Sequence, residues 1–255
     1  MKISPDFRQR VLAREYVVGT FLNLGSPVTV EIAGLAGFDW VLLDHEHGPG
    51  GEDTMLHQLQ AAAATPTFPI VRIAINETAR FKRALDMGAS GVMVPYVNTA
   101  DEARAAVQAM RYPPHGIRGV AKFNRGAGFS GDFEDYYLHA HERLLTVVQI
   151  ETAEAVANID EIAAVDGADV LFVGPADLSY NLGIRDQLES PRFTEALQKV
   201  SAAAKKHGKA AGILVHANPL VAKVRDLGYT FVSLGSDGGG VRNALLGFVA
   251  ILKGK

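Results

Sequence analysis

The chain has 255 residues, 48% of them hydrophobic and 21% charged, with no cysteine and a formal net charge of -3. This is the composition of a folded globular protein. The missing cysteines exclude disulfides, thiolate metal sites and cysteine nucleophiles, and the small negative charge gives no electrostatic reason to bind nucleic acid or an anionic membrane. A small-molecule substrate and a reducing, cytoplasmic setting are the resulting expectations.

The opening segment 1–6 lacks both an apolar core and a small-residue cleavage site, so no secretory signal is expected. No membrane span is expected either, because the alanine-rich stretches are short and interrupted by Gly, Pro and charge. An amphipathic helix is predicted over 7–15. Eight short apolar runs come after it, at 17–22, 39–43, 70–74, 91–95, 145–150, 169–173, 210–214 and 230–234. None alternates strictly, which is the pattern of strands buried on both faces of a parallel sheet.

Helical patterns separate the runs, at 51–64, 77–87, 99–110, 152–164, 191–207, 219–227 and 241–252. Thr99-Ala100-Asp101-Glu102 reads as a capping box, and Gly37, Gly88 and Gly228 stand at helix ends just before strands. Strand–helix alternation without a change of style predicts an α/β fold: one (β/α)8 TIM barrel over 1–255, with an N-terminal helix and a long loop after strand four. That loop, 111–143, is rich in Gly, Pro and aromatic residues. It is expected on the catalytic side of the barrel, as an active-site cover or a subunit contact.

Barrel enzymes keep their reactive groups at the C-terminal strand ends, so the polar residues just past each run are the candidates. Asp44-His45-Glu46-His47 comes after the second run, and four titratable groups there need solvent or partners. Arg72 sits among aliphatic residues in the third run, where a structural salt bridge is the alternative to a catalytic role. Gln149 and Glu151 share one face at the end of the fifth. Asp177, in Gly174-Pro175-Ala176-Asp177 after the sixth, could alternatively cap a turn. Together Glu151 and Asp177 make a hard-oxygen pair suited to magnesium or manganese. The Gly174–Asp177 turn adds backbone amides for a substrate carboxylate.

These segments, in order and with Tyr112-Pro113-Pro114-His115-Gly116-Ile117-Arg118-Gly119, resemble the HpcH/HpaI family of class II pyruvate-dependent aldolases over almost the whole chain. The resemblance implies metal ligation by Glu151 and Asp177 with Gln149 nearby, an Asp44–His47 acid/base pair, and Arg72 on the pyruvate oxygen. The ion would be magnesium or manganese, with cobalt a third option. His45 falls at a variable motif position and receives no role; Glu46 is a further candidate. The family's tryptophan after the first strand is missing from Gly19-Thr20-Phe21-Leu22-Asn23-Leu24, so Phe21 or Asn23 would alter the aldehyde pocket. The substrate implied is a 4-hydroxy-2-oxo acid cleaved to pyruvate and an aldehyde, with oxaloacetate decarboxylation as a side activity. The resemblance also implies a homo-oligomer, a hexamer or trimer, packed or exchanged through the apolar C-terminal helix.

Three rivals remain on the sequence. A dedicated oxaloacetate decarboxylase would use the same enolate. A class I aldolase needs a lysine at a strand end, and none of the eight runs ends in one. A barrel without catalysis is compatible with the fold alone.

Overall fold

The computed structural model describes residues 5–216 and 218–254. Residues 1–4, and with them most of the segment read as free of a secretory signal, lie outside the described residues. Eight parallel strands close a barrel in sequence order: β1 (Val17–Leu22), β2 (Trp40–Asp44), β3 (Phe68–Arg72), β4 (Gly91–Val94), β5 (Leu145–Ile150), β6 (Val170–Val173), β7 (Ala210–Val215) and β8 (Phe231–Ser236). Every residue of β2 through β6 is buried, as the continuous apolar runs require. No helix among the described residues is long and apolar enough to cross a membrane.

Aromatic rings fill the barrel interior. Trp40 stacks on Phe231 at 4.1 Å and meets Phe172 edge-on at 6.3 Å. The plug depends on Gly19, the register partner of Trp40 on β1, because a Cβ there would overlap the indole ring. Phe21 and Phe172, with centroids 6.0 Å apart, carry the apolar filling up to the C-terminal mouth.

Local signals act as expected. The Thr99 hydroxyl accepts from Glu102 N at 3.2 Å, and the Glu102 carboxylate accepts from Thr99 N at 3.0 Å, starting the helix Ala100–Met110. Caps of this kind contribute about 1 kcal/mol. Gly37 and Gly88, at φ 96° and 97°, make the left-handed exits that only glycine adopts readily.

Several helices differ from the sequence reading. Pro27–Leu35 is a helix, capped by Ser26 with Pro27 in its first turn, and Pro175–Asn181 is another. The 152–164 helix is broken into Ala153–Ala157 and Ile159–Ala163 at Asn158, whose side-chain amide bonds the Asn98 carbonyl at 2.9 Å. The C-terminal helix begins at Asp237, earlier than the predicted 241, because Ser236 caps it by accepting from Gly239 N.

The long segment 111–143 is present, but its expected role as an active-site cover of its own barrel is overturned. The helix Ala100–Met110 returns the chain to the N-terminal ends of the strands, so the segment 111–143 lies at the opposite mouth. Arg125 bonds the carbonyls of Met87 and Leu59 at two helix C-termini there. Arg118, fully buried, bonds Asp86 at 2.8 Å and the Tyr136 hydroxyl at 3.0 Å, with the Tyr112 ring 4.3 Å away. Its last third is not loop but the helix Phe133–Arg143.

Candidate active site

At the C-terminal mouth a cavity of about 280 Å³ gathers side chains from the ends of most strands. Register builds its first half. Asp44 and Arg72 are the final residues of β2 and β3 and are direct register partners. The Arg72 guanidinium grips the Asp44 carboxylate through Nε at 3.0 Å and NH2 at 2.7 Å. Its NH1 lies 3.0 Å from Glu46 Oε2. Burial alone would raise the Asp44 carboxyl, but the hydrogen bonds and charge of Arg72 outweigh it and hold the group below the usual carboxylate range. Burial pushes Glu46 upward, against the pull of Arg72 and His47.

This corrects the expected Asp44–His47 side-chain pair. Asp44 Oδ1 accepts the backbone N–H of His47 and of Glu46, each at 3.2 Å, while its side-chain partner is Arg72. The His47 ring is exposed at the cavity rim, 3.8 Å from Glu46. His45 turns away from the mouth and lies 3.0 Å from Gln58 Oε1. Its imidazole is pulled down by burial, with the Gln58 contact opposing.

Alternation builds the second half: Gln149 and Glu151 project the same way at the end of β5. Gln149 Nε2 donates to Glu151 Oε2 at 3.1 Å, and Gln149 Oε1 is buried with no partner among the described residues. Gly174 leaves room beside them, since a Cβ there would press on the Glu151 carboxylate. Asp177 stands in the first turn of the helix Pro175–Asn181, with Pro175 and Ala176 in the same wall. Glu151 is 2% exposed; burial pushes its carboxyl up to about 7, with Asp177 and Glu46 adding to the rise and the Tyr96 N–H opposing it.

Sequence reasoning missed Tyr96. Its N–H donates to Glu151 Oε1 at 2.8 Å and its hydroxyl to Asp177 Oδ1 at 3.1 Å. The available signal was a polar aromatic residue just beyond the fourth strand. Asn23, expected from the sequence to shape the aldehyde pocket, also lines the cavity, together with His216 and Ser236.

A closed parallel barrel whose C-terminal mouth holds acids, an arginine and a rim histidine defines a small-molecule enzyme of the (β/α)8 class. A model of the HpcH/HpaI aldolase/citrate lyase family matches residues 17–244, and the chain belongs to that family. A 5-keto-4-deoxy-D-glucarate aldolase of Salmonella paratyphi C (strain RKS4594) is 40% identical over 236 residues, 92% of each chain. An HpcH/HpaI aldolase/citrate lyase family protein of Burkholderia cenocepacia J2315 superposes with a TM-score of 0.93 at 35% identity, covering 98% of this chain and 100% of that one. An HpcH/HpaI aldolase of Desulfitobacterium hafniense DCB-2 gives 0.89 at 31% identity, covering 97% and 96%. The protein is a carbon–carbon lyase acting on small molecules.

Proposed function

We propose that the chain is a divalent-metal-dependent (class II) pyruvate aldolase, cleaving a 4-hydroxy-2-oxo acid reversibly to pyruvate and an aldehyde, with oxaloacetate decarboxylation as a side reaction. The observation that carries this reading is the convergence of Glu151 and Asp177, from adjacent strand ends, on the cavity that also holds Arg72.

The donor set fits Mg2+ or Mn2+, with Co2+ a third option, because it is all oxygen and short of positive charge. Burial is the main cause of the raised Glu151 carboxyl, and the neighbouring Asp177 and Glu46 add to it, so a cation beside them would supply a counter-charge. No group of three or more His, Cys, Asp or Glu among the described residues would hold an ion alone. Glu151 and Asp177 would therefore share it with substrate or water oxygens. A bound cation supplies a Lewis acid for the negative charge arriving on the C2 oxygen of pyruvate.

The remaining work belongs to the chain. The first-turn amides of Ala176 and Asp177 have no partner inside their helix and suit the pyruvate carboxylate. Arg72 directs one Nε and one NH2 bond to Asp44, and its NH1 approaches Glu46. A guanidinium carries five N–H donors, so donors on NH1 and NH2 remain for the developing enolate. His47, exposed at the rim, moves the proton directly or through water. Asp44 fixes Arg72 and the backbone of residues 46–47 rather than the imidazole ring. Phe21, Phe172 and Leu214 form the apolar side of the pocket.

The reading extends to a single-domain cytoplasmic enzyme acting as a homo-oligomer, a hexamer or trimer. The helix Asp237–Leu252 supports assembly: it has no buried residue and exposes Leu245, Leu246, Phe248 and Ile251. The relatives' name makes 5-keto-4-deoxy-D-glucarate the first substrate to assay. Pyruvate release from a panel of 4-hydroxy-2-oxo acids tests the reading, and failure across the panel with metal present would defeat it.

A further inference from the structure

We propose that Tyr96 is a positioning residue for the metal site, holding Glu151 through its backbone N–H and Asp177 through its phenol; this rests on the metal-dependent reading above. Tyr96 lies just past β4, between the two carboxylates, and reaches both. Its backbone is at φ 51°, a left-handed conformation that non-glycine residues adopt only where the surroundings impose it. Core packing does not impose it, because the residue is 49% exposed. The bonds around it do. Its N–H goes to Glu151 Oε1, its hydroxyl to Asp177 Oδ1, and its carbonyl accepts from Asn98 Nδ2 at 3.3 Å.

These bonds decide how the two acids face the cavity. The Tyr96 hydroxyl occupies Asp177 Oδ1, which leaves Oδ2 as the oxygen without that donor. Glu151 is fixed at both ends, by Tyr96 N–H at Oε1 and by Gln149 Nε2 at Oε2. Outer donors of this kind orient a ligand before the ion arrives, and removing one weakens metal binding by about 10- to 100-fold.

The test is Mn2+ binding to the full chain without substrate, read from the paramagnetic resonance of the free ion. Tyr96→Phe removes only the hydroxyl; Tyr96→Gly also removes the ring while keeping the N–H and tolerating the left-handed backbone. Both variants should fold and bind Mn2+ about 10- to 100-fold more weakly than the parent, by similar factors. Parent-like binding by Tyr96→Phe would overturn the assignment, as would a loss confined to Tyr96→Gly, which would give the role to the bulk of the ring. Loss of folding in both would make Tyr96 structural and also overturn it. A parent that binds no Mn2+ would instead defeat the metal reading itself, which separates the two failures.

Discussion

Arg72→Ala is the most informative single substitution, because the arginine is both half of a buried ion pair and the group assigned to the enolate. Only 9% of its side chain is exposed and 4% of that of Asp44, so truncation leaves the buried Asp44 carboxylate without its ion-pair partner. Removing one partner of a buried pair costs about 3–5 kcal/mol. At about 2–4 °C per kcal/mol for a chain near this size, the melting temperature should fall by roughly 10 °C. The catalytic loss is separate: a donor aimed at developing charge is worth about 100- to 1,000-fold in turnover. The assay is exchange of the pyruvate methyl protons with deuterium, followed by NMR well below the variant's melting temperature and normalised to folded protein. Aldol cleavage and oxaloacetate decarboxylation should fall together, since both pass through the enolate. Arg72→Lys should recover little, because an ammonium cannot span both Asp44 oxygens and still present a donor. A lowered melting temperature with near-normal exchange in the folded fraction would refute the reasoning and leave Arg72 purely structural.

His47→Ala should slow the same exchange by about 100- to 10,000-fold, the usual cost of a lost general base, while His45→Ala, directed at Gln58, should cost far less; the reverse ranking would move the role to His45. Stability should also depend on pH through Glu151. Its folded carboxyl is raised to about 7 from an ordinary 4.5, so the metal-free folded state keeps a proton that the unfolded chain has released. Stability in chelator is therefore present at the acid end of that window and lost as pH rises through it, by about 3 kcal/mol. Urea midpoints in chelator at about pH 5 and about pH 8 read this, Glu151→Gln should flatten the difference, and a flat parent profile would count against the buried carboxyl.

The barrel was legible because its strands are buried on both faces and so read as unbroken apolar runs; Val17–Leu22 and Leu145–Ile150 match residue for residue. The features that escaped were set by tertiary structure. The Asp44–Arg72 pair exists because β2 and β3 align their last residues, and register does not show in either run taken alone. This register displaces the Asp44–His47 side-chain pair that the family resemblance implies. Tyr96 reaches Glu151 and Asp177 across 55 and 81 residues. The helix Pro27–Leu35 is hidden because Val28, Ile32 and Leu35 are exposed while Val30 and Ala33 are buried, so apolar residues on both faces leave no amphipathic pattern. Counting from strand four puts the segment 111–143 at the catalytic mouth, but the helix Ala100–Met110 lies between and carries the chain to the opposite one.

The central claim is that Glu151 and Asp177 hold a cation on which pyruvate chemistry depends, and the direct measurement is pyruvate formation before and after chelation. Excess chelator should abolish cleavage, and Mn2+ or Mg2+ should restore it in the parent but not in Asp177→Asn. Full activity in excess chelator, or inactivation by borohydride with pyruvate through a trapped lysine adduct, would contradict the account.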